Sequence, residues 1–383
     1  MDPRASVVDT SVYVHFPWCA RKCPYCDFAT RRVEVIPHRA YADAVLRELA
    51  ERRHVLEGRR LFSIFLGGGT PSLWDPAEVA RVLDGIREAF PASVDEVEIT
   101  AEANPNSLST AQLRGFREAG VNRLSVGVQS LHDAQLRFLG RLHDRTQALD
   151  ALEGAVATFG RVSADLMFGL PGQQAEAWSQ DVSELLSAGV EHVSAYALTI
   201  EPGTQFGALH RLGKLRVATE EDYAAMFERT RDVMEGHGLE HYEVSNYARP
   251  GARARHNEHY WRGGDYLGLG AAAVGCLSEG SGRAFRYKNE VRDERYLAAG
   301  GESERETLGP DEILREGLML GLRTGDGVDV EALSARAGQD WRRGREKAVD
   351  ARLTRGDLVL DGSRLRVPPE RWLWLDGIVA DLF

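Results

Sequence analysis

The sequence predicts an α/β protein with a parallel sheet, followed by a smaller C-terminal unit. Over roughly the first 250 residues, short apolar runs alternate with amphipathic helical segments, which is typical of repeated strand–helix units. Glycine recurs where three predicted helices end, at Gly120, Gly160 and Gly189, each shortly before a predicted strand. This recurrence favours a barrel or an open barrel, and a doubly wound sheet is the alternative.

The predicted strands of the first part are apolar runs of the length expected for buried strands. A helical stripe of apolar residues at 41–49 follows the first of them. Asp75, followed by a proline and by Glu78, predicts an N-cap and a capping box for the next helix, and Ser109 predicts a further helix start. The predicted strands span residues 12–16, 61–66, 97–101, 123–126, 162–167, 192–198 and 242–244.

The C-terminal unit has its own pattern. A change of composition at residues 298–304 predicts a linker, so we expect domains at 1–297 and 298–383. Asp361 and Gly362 lie between short apolar runs and predict a β-hairpin. With this hairpin and predicted helices, the unit is expected to be a small α+β, winged-helix-like domain. The predicted helices span residues 314–322, 328–337 and 372–382.

The composition is that of an ordinary globular protein and limits the classes of partner. Hydrophobic residues make up 43% and charged residues 27% of the chain. The net charge of -11 and the absence of a basic stripe argue against binding to nucleic acid or to a membrane surface. No apolar run is long enough to span a bilayer. Residues 1–4 lack the apolar core of a signal peptide, so we expect a cytoplasmic protein with reduced thiols.

Three of the four cysteines, Cys19, Cys23 and Cys26, lie close together directly after the first predicted strand. Each iron of a [4Fe-4S] cluster takes one cysteine, so three thiolates leave one iron open to a substrate or cofactor. The carboxyl end of a barrel strand is also where active-site groups are expected. A zinc site with His15 or another histidine is the alternative. Cys276 lies far along the chain and is expected to be a small buried residue.

Candidate binding residues follow the other predicted strands. Residues 67–71, Gly-Gly-Gly-Thr-Pro, let a ligand approach backbone amides, and a tight turn is the alternative. Glu102 ends the third strand, where a carboxylate can hold a ribose diol; a solvated strand end is equally frequent. Asp165 falls in an apolar run, where a charge needs a partner. Arg141 is a candidate partner for a carboxylate, unless it is a surface helix arginine.

Residues 256–261 read His-Asn-Glu-His-Tyr-Trp and precede a glycine-rich stretch. Histidine is the usual axial ligand of haem iron, and aromatic side chains pack against a porphyrin face. On these residues alone, ordinary packing is the more frequent explanation.

Together these motifs resemble the radical S-adenosylmethionine (SAM) superfamily and, within it, the oxygen-independent coproporphyrinogen III oxidase family. The resemblance runs from about Ser11 to the end of the chain and implies a partial (β/α)6 barrel. It implies that Cys19, Cys23 and Cys26 bind a [4Fe-4S] cluster whose open iron is chelated by SAM. Electron transfer from the cluster then cleaves SAM into a 5′-deoxyadenosyl radical. The positions that align with the family's SAM contacts are Tyr13, Tyr25, Gly68, Gly69, Thr70, Glu102, Gln129, Arg141, Asp165, Ala197 and Val274.

Two branches of this family differ at positions that the sequence shows. The oxidases carry another cysteine two residues after the third cluster ligand, where this chain has Phe28, and a longer N-terminal arm. The histidine motif resembles instead the haem chaperone branch, the HemW type. That resemblance implies haem as cargo for respiratory apoproteins, an electron donor, and His256 as the haem ligand beside Tyr260 and Trp261. Val274 departs from this branch, where histidine is frequent, and coproporphyrinogen III dehydrogenase is the alternative function.

Overall fold

The structure is a computed structural model that describes residues 7–280 and 282–383. Residues 1–4, on which the expected location depends, lie outside the described part. The strands are β1 (Val8–Phe16), β2 (Arg59–Gly68), β3 (Ala92–Ala103), β4 (Arg123–Gln129), β5 (Val162–Phe168), β6 (His192–Ala197), β7 (Glu240–Glu243), β8 (Asn246–Ala248), β9 (Asp265–Leu269), β10 (Val274–Gly280), β11 (Arg283–Asn289), β12 (Glu302–Leu308), β13 (Val328–Asp329), β14 (Val359–Asp361) and β15 (Arg364–Arg366).

The helices alternate with the first six strands and continue into the C-terminal unit. They are α1 (His38–Glu51), α2 (Pro76–Ala89), α3 (Thr110–Glu118), α4 (Asp133–Phe138), α5 (Arg145–Phe159), α6 (Ala175–Ser187), α7 (Gln205–Arg211), α8 (Glu220–Gly236), α9 (Arg255–Trp261), α10 (Asp293–Ala299), α11 (Pro310–Gly321), α12 (Val330–Ala337), α13 (Glu346–Arg355) and α14 (Leu375–Ala380). None of these helices is both long and apolar enough to cross a bilayer.

Within the described residues, twelve strands form one sheet in the order β12-β11-β10-β9-β1-β2-β3-β4-β5-β6-β8-β7. Strands β1 to β6 are parallel and lie next to each other in chain order. A doubly wound sheet would reverse the strand order in its middle, and these six strands do not. Right-handed connections between sequential strands place the helices that join β1 to β6 on one face of the sheet. The six strands with their helices therefore confirm the expected partial (β/α)6 barrel.

Alternation along β1 separates the hydrophobic core from the inner face of the barrel. Val14 and Phe16 are buried in the core beneath the helices, and the Phe16 ring meets the Tyr41 ring of α1 edge-on at 6.0 Å. Tyr13 and His15 point to the opposite, inner face, where they line a cavity. The apolar positions of the strands thus hold the helices, and the intervening positions are free for a site.

The predicted helix starts are confirmed, with one correction. The Asp75 side chain accepts a hydrogen bond from Ala77 N at 2.9 Å, and Ser109 accepts one from Gln112 N at 3.1 Å. The predicted capping box of Asp75 is wrong, because Glu78 turns to Arg81 at 2.5 Å instead of back to the N-cap. The glycines predicted to end three helices all have positive φ, between 70° and 101°.

The predicted linker at residues 298–304 is wrong. Helix α10 continues to Ala299, and β12 starts at Glu302 and pairs with β11, so the large sheet extends to Leu308. Strand β12 is exposed over most of its length and rich in charge, as suits an unpaired sheet edge. This composition is also that of a linker, which is why the sequence suggested one.

The C-terminal unit contains helices α11 to α14 and a three-stranded antiparallel sheet, β13-β15-β14. The hairpin predicted around Asp361 and Gly362 is confirmed as β14–β15, and Gly362 has a φ of 56°. The helix predicted at 328–337 begins two residues later, after the short strand β13. The predicted closing helix is a 3-10 helix, Pro369–Trp374, followed by α14.

Candidate functional site

The three clustered cysteines lie in one loop after β1, at residues 17–31, which we call the cluster loop. Cys19, Cys23 and Cys26 are all partly exposed and line a cavity of about 430 Å³ at the carboxyl ends of the parallel strands. Cys19 Sγ lies 3.1 Å from Thr30 Oγ1 and accepts from Thr70 Oγ1 at 3.4 Å. We call this space the cluster cavity.

The three thiols that line the cluster cavity suit a [4Fe-4S] cluster. Such a cluster takes one thiolate per iron, so three cysteines would leave one iron open to a ligand. Burial raises the pKa of Cys26 to about 11 and also raises that of Cys19, so both thiols must release protons on binding metal.

Cys276 lies on β10, away from the cluster cavity. It faces a small space between the sheet and the C-terminal unit, beside Tyr266 and Arg286. Burial raises the pKa of its thiol to about 11, as for an unreactive thiol. Cys276 is half-buried and not buried as expected, but it packs against the core and does not line the cluster cavity.

Most positions aligned with SAM contacts meet in the cluster cavity, and two do not. Tyr13 and Val274 line a second cavity, described below. The positions that line the cluster cavity are Tyr25, Gly68, Gly69, Thr70, Glu102, Gln129, Arg141, Asp165 and Ala197.

Glu102 and Asp165 are two of the carboxyl groups that line the cluster cavity. Glu102 Oε2 accepts a hydrogen bond from Gly68 N at 3.0 Å, and Asp165 accepts one from Ser125 Oγ at 3.0 Å. Burial, and then the nearby charge of Asp165, raises the pKa of Glu102 to about 8. Burial also raises the pKa of Asp165. At neutral pH Glu102 is therefore mostly protonated, and its carboxyl can both donate to and accept from a polar ligand such as a diol.

Arg141 belongs to the cavity and not to a solvent-exposed helix surface. Its Nη2 donates to Gly127 O at 2.6 Å and to the side chain of Asn104, and its Nη1 lies 3.7 Å from Cys23 Sγ. The buried Nε has no hydrogen-bond partner in the described part of the chain. The guanidinium is bonded to neutral groups, so its charge is available to a carboxylate of a ligand.

The sequence reasoning missed several residues of this cavity. The Asn104 side chain accepts a hydrogen bond from Arg141, and its Nδ2 donates to Thr70 Oγ1 at 3.0 Å. Ser125 holds Asp165, and Tyr196 lines the wall at the end of β6. The available signal was the alternation itself. Asn104 is two residues beyond Glu102, and Ser125 is two residues beyond Arg123, so both occupy inward-facing positions.

Backbone strain marks the end of β4. Gln129 has a φ of 69°, which is uncommon for a residue other than glycine, and the β4–β5 register shifts next to it. Such strain persists where the surrounding structure imposes it, and it is frequent at binding sites. Here it coincides with the point where Gln129 lines the cluster cavity.

A second cavity, also about 430 Å³, lies on the inner face over β1, β9 and β10. It is lined by the predicted haem ligand His256, with His259 and Tyr260, all on α9. Trp261 is not among the lining residues; its ring packs edge-on against that of Tyr260 at 5.7 Å. Val274 adds an apolar wall. We call this space the histidine cavity.

His256 is held in a defined orientation. Its Nδ1 lies 2.9 Å from Ser63 Oγ, and its ring lies 5.0 Å from the Phe65 ring. Burial lowers the pKa of His256 to about 3, so the imidazole is neutral at physiological pH. His259, in contrast, bonds to the backbone, with Nε2 3.0 Å from Asp265 O.

His15 lines the histidine cavity and also contacts the cluster loop. Its Nδ1 lies 3.0 Å from the Tyr13 hydroxyl and its Nε2 3.0 Å from Ala29 O of the cluster loop. Burial lowers its pKa. A Cβ at Gly68 would lie 2.6 Å from the ring, so glycine is required where the second strand meets this histidine.

Comparison with known proteins identifies the class to which this site belongs. The radical SAM superfamily model matches residues 13–185, and the HemN C-terminal domain model matches residues 308–374. The chain is therefore a member of the radical SAM superfamily, and that membership implies a [4Fe-4S] cluster and SAM as cofactors.

Similar proteins identify the family within that superfamily. The heme chaperone HemW of Lactococcus lactis is 37% identical over 84% of this chain and 83% of that protein. HemW of Escherichia coli is 39% identical over 72% of each. Radical S-adenosyl methionine domain-containing protein 1, mitochondrial, of Mus musculus is 37% identical over 99% of this chain and 88% of that protein. The chain belongs to the family of these proteins.

A solved structure confirms the fold over the full length. Coproporphyrinogen III oxidase (HemN) from Escherichia coli superimposes with a TM-score of 0.81, covering 100% of this chain and 91% of that protein. The sequence identity is 20%, so this likeness concerns the fold.

Proposed function

We propose that the protein is a haem chaperone that carries a radical SAM-type cluster and delivers haem to respiratory apoproteins in the cytoplasm. The observation that carries this proposal is the histidine cavity, an aromatic-lined space with a neutral histidine on its wall, separate from the cluster cavity. HemW heme chaperones at 35–39% identity support the same function.

His256 is the proposed haem ligand. Histidines that bind a metal usually engage their other ring nitrogen in a hydrogen bond, which fixes the ring. Ser63 engages Nδ1 of His256 and leaves Nε2 for the iron. His259 has Nε2 occupied by a backbone carbonyl and is the weaker candidate. Val274 supplies apolar contact in this cavity and no second ligand.

The cluster cavity is the proposed cofactor site. Cys19, Cys23 and Cys26 are the proposed cluster ligands, and the bound cluster would supply an electron to SAM. Arg141 offers an unpaired positive charge for the amino acid carboxylate of SAM, next to Cys23. Glu102 offers a protonated carboxyl for the ribose diol, in a position fixed by the amide of residue 68.

A haem titration tests the ligand assignment. Protein with a reconstituted cluster is titrated with haem under argon and followed by absorption, for the parent, His256→Ala and His210→Ala. His210 lies on α7 and is not among the residues lining the histidine cavity, so it controls for the loss of a histidine. We expect His256→Ala to weaken binding about ten-fold or more and to change the spectrum of the bound iron. Undiminished binding with an unchanged spectrum rejects His256.

The alternative function is oxidative decarboxylation by coproporphyrinogen III dehydrogenase. Phe28 opposes it, because this exposed side chain lines the cluster cavity where the oxidases carry a cysteine. Anaerobic incubation of the reconstituted protein with SAM, an electron donor and the porphyrinogen decides between the two. Release of carbon dioxide would establish the enzyme, and haem binding without carbon dioxide release supports the chaperone.

A further inference from the structure

Asp293, the first residue of α10, joins the two ends of the cluster loop. The Trp18 indole Nε1 donates to Asp293 Oδ2 at 2.7 Å. Arg31 donates from Nε to Oδ1 at 2.7 Å and from Nη2 to Oδ2 at 2.9 Å. Trp18 directly precedes Cys19, and Arg31 closes the loop after Cys26. One carboxylate therefore receives hydrogen bonds from both sides of the cysteine motif.

We infer that Asp293 is a positioning residue that fixes the cluster loop for metal binding. This inference rests on the proposed cluster site, because the loop it fixes is the one that carries the three cysteines. Neither the cysteine motif nor any SAM-aligned position includes Asp293, which comes from a helix more than 260 residues further along the chain.

The backbone at the base of the loop shows what Asp293 holds in place. Cys19 N donates to Arg31 O at 3.1 Å, and Arg31 N donates to Pro17 O at 3.0 Å. The side chains bonded to Asp293 belong to the two residues of this bridge, Trp18 and Arg31. Thr30, which lies 3.1 Å from Cys19 Sγ, is the neighbour of Arg31. Closing the base of the loop therefore also sets the surroundings of the first cysteine.

The energetics favour a strong contact. Asp293 is only 5% exposed, and Trp18 is fully buried. Removing a buried carboxylate leaves the groups that donate to it without hydrogen-bond partners. The free-energy cost of these unpaired groups exceeds the net contribution of the hydrogen bonds themselves. Arg31 is different, because its side chain is 46% exposed and can be changed without creating a cavity. Changing Arg31 removes its two bonds to Asp293, together with its bond to Glu294, and leaves the Trp18 bond in place.

The test compares Asp293→Asn and Arg31→Gln with the parent by hydrogen exchange of the metal-free protein, read on the peptide that covers residues 17–31. We expect exchange to be about ten-fold faster in both variants, the factor that corresponds to the loss of one charge-assisted hydrogen bond. Asp357→Asn is the matched control. Asp357 is also a largely buried carboxylate, bonded to Arg352 at 2.7 Å, but it lies in the C-terminal unit.

Iron retention provides the second measurement. After anaerobic reconstitution, iron release to a chelator should be accelerated about ten-fold in both variants and not in Asp357→Asn. Unchanged exchange in both variants overturns the inference. Faster exchange with iron release equal to the parent also overturns it, since the contact would then be structural only. If the parent itself retains no iron, the proposed cluster site is wrong. The exchange measurement on the metal-free protein still tests the role of Asp293, so the two failures can be distinguished.

Discussion

Replacing Glu102 with glutamine tests the electrostatics of the cluster cavity. Burial and the charge of Asp165 raise the pKa of Glu102 from 4.5 to about 8. A carboxyl whose folded-state pKa is raised stabilises the fold below its unfolded pKa, and this contribution is lost as the pH rises through the folded pKa. At pH 7 the unfolded chain has released this proton and is stabilised by the release, whereas the folded chain still holds the proton. The free energy of unfolding is therefore lower at pH 7 than at low pH. The difference is about 3 kcal/mol at 1.36 kcal/mol per pKa unit.

This value is an upper one, because the carboxyl faces a cavity that water reaches. In the parent, Gly68 N donates to Glu102 at 3.0 Å, and a glutamine side-chain oxygen can accept the same hydrogen bond. Glutamine has no proton to lose. Glu102→Gln should therefore be more stable than the parent at pH 7 by up to about 3 kcal/mol, and by less than about 1 kcal/mol at pH 5.

Urea unfolding of the metal-free protein at the two pH values measures this difference. Glu118→Gln, an exposed change on α3, is the control and should shift neither midpoint. Glu102→Gln should also bind SAM more weakly than the parent, because a change that stabilises a binding site often reduces its function. A stability difference between Glu102→Gln and the parent that is equal at pH 5 and pH 7 would refute the assigned pKa.

Three further changes probe the cysteines, the cluster cavity and the C-terminal unit. Cys23→Ser should abolish iron retention after anaerobic reconstitution and Cys276→Ser should not; equal iron contents would contradict the proposed ligand set. Arg141→Lys should lower SAM affinity about ten-fold or more in calorimetry, because an ammonium cannot reproduce the forked guanidinium that bonds Gly127; parent-like affinity would remove Arg141 from the site. Leu365→Ala should lower the free energy of unfolding by about 2–5 kcal/mol in urea, because this side chain is fully buried, and a change below about 1 kcal/mol would be inconsistent with that core.

The parallel part of the fold could be predicted because its local signals agree. Strands β1 to β6 each contain an apolar run, and most of the helices after them carry a start or stop signal, such as the Asp75 N-cap. Helix α1, which has no side-chain cap, is an exception. Strands β9 to β12 could not be predicted. Strand β9 is interrupted by Gly268, where a Cβ would lie 2.2 Å from Val274 O on β10, too close for any side chain. Strand β12 is polar because only its end at Leu308 is buried.

The site was predictable where a residue type has few other uses. A close trio of cysteines has few common explanations, an iron–sulfur cluster or a zinc site, and the motif around it made the family recognisable. Asn104 and Ser125 have many other uses, and their role depends on contacts with Arg141 and Asp165 that only folding creates. The separation of Tyr13 and Val274 from the other aligned positions is likewise created only by folding, which places them in a different cavity.

The bonds made by His15 determine what can meet Tyr13 in the histidine cavity. A backbone carbonyl only accepts, so the nitrogen facing Ala29 O must carry the imidazole proton. The other nitrogen then has a lone pair, and the phenol hydrogen of Tyr13 is directed at it. The Tyr13 hydroxyl can therefore only accept a hydrogen bond from a ligand in this cavity. An ionised propionate would find no bond there, whereas an N–H or O–H group would.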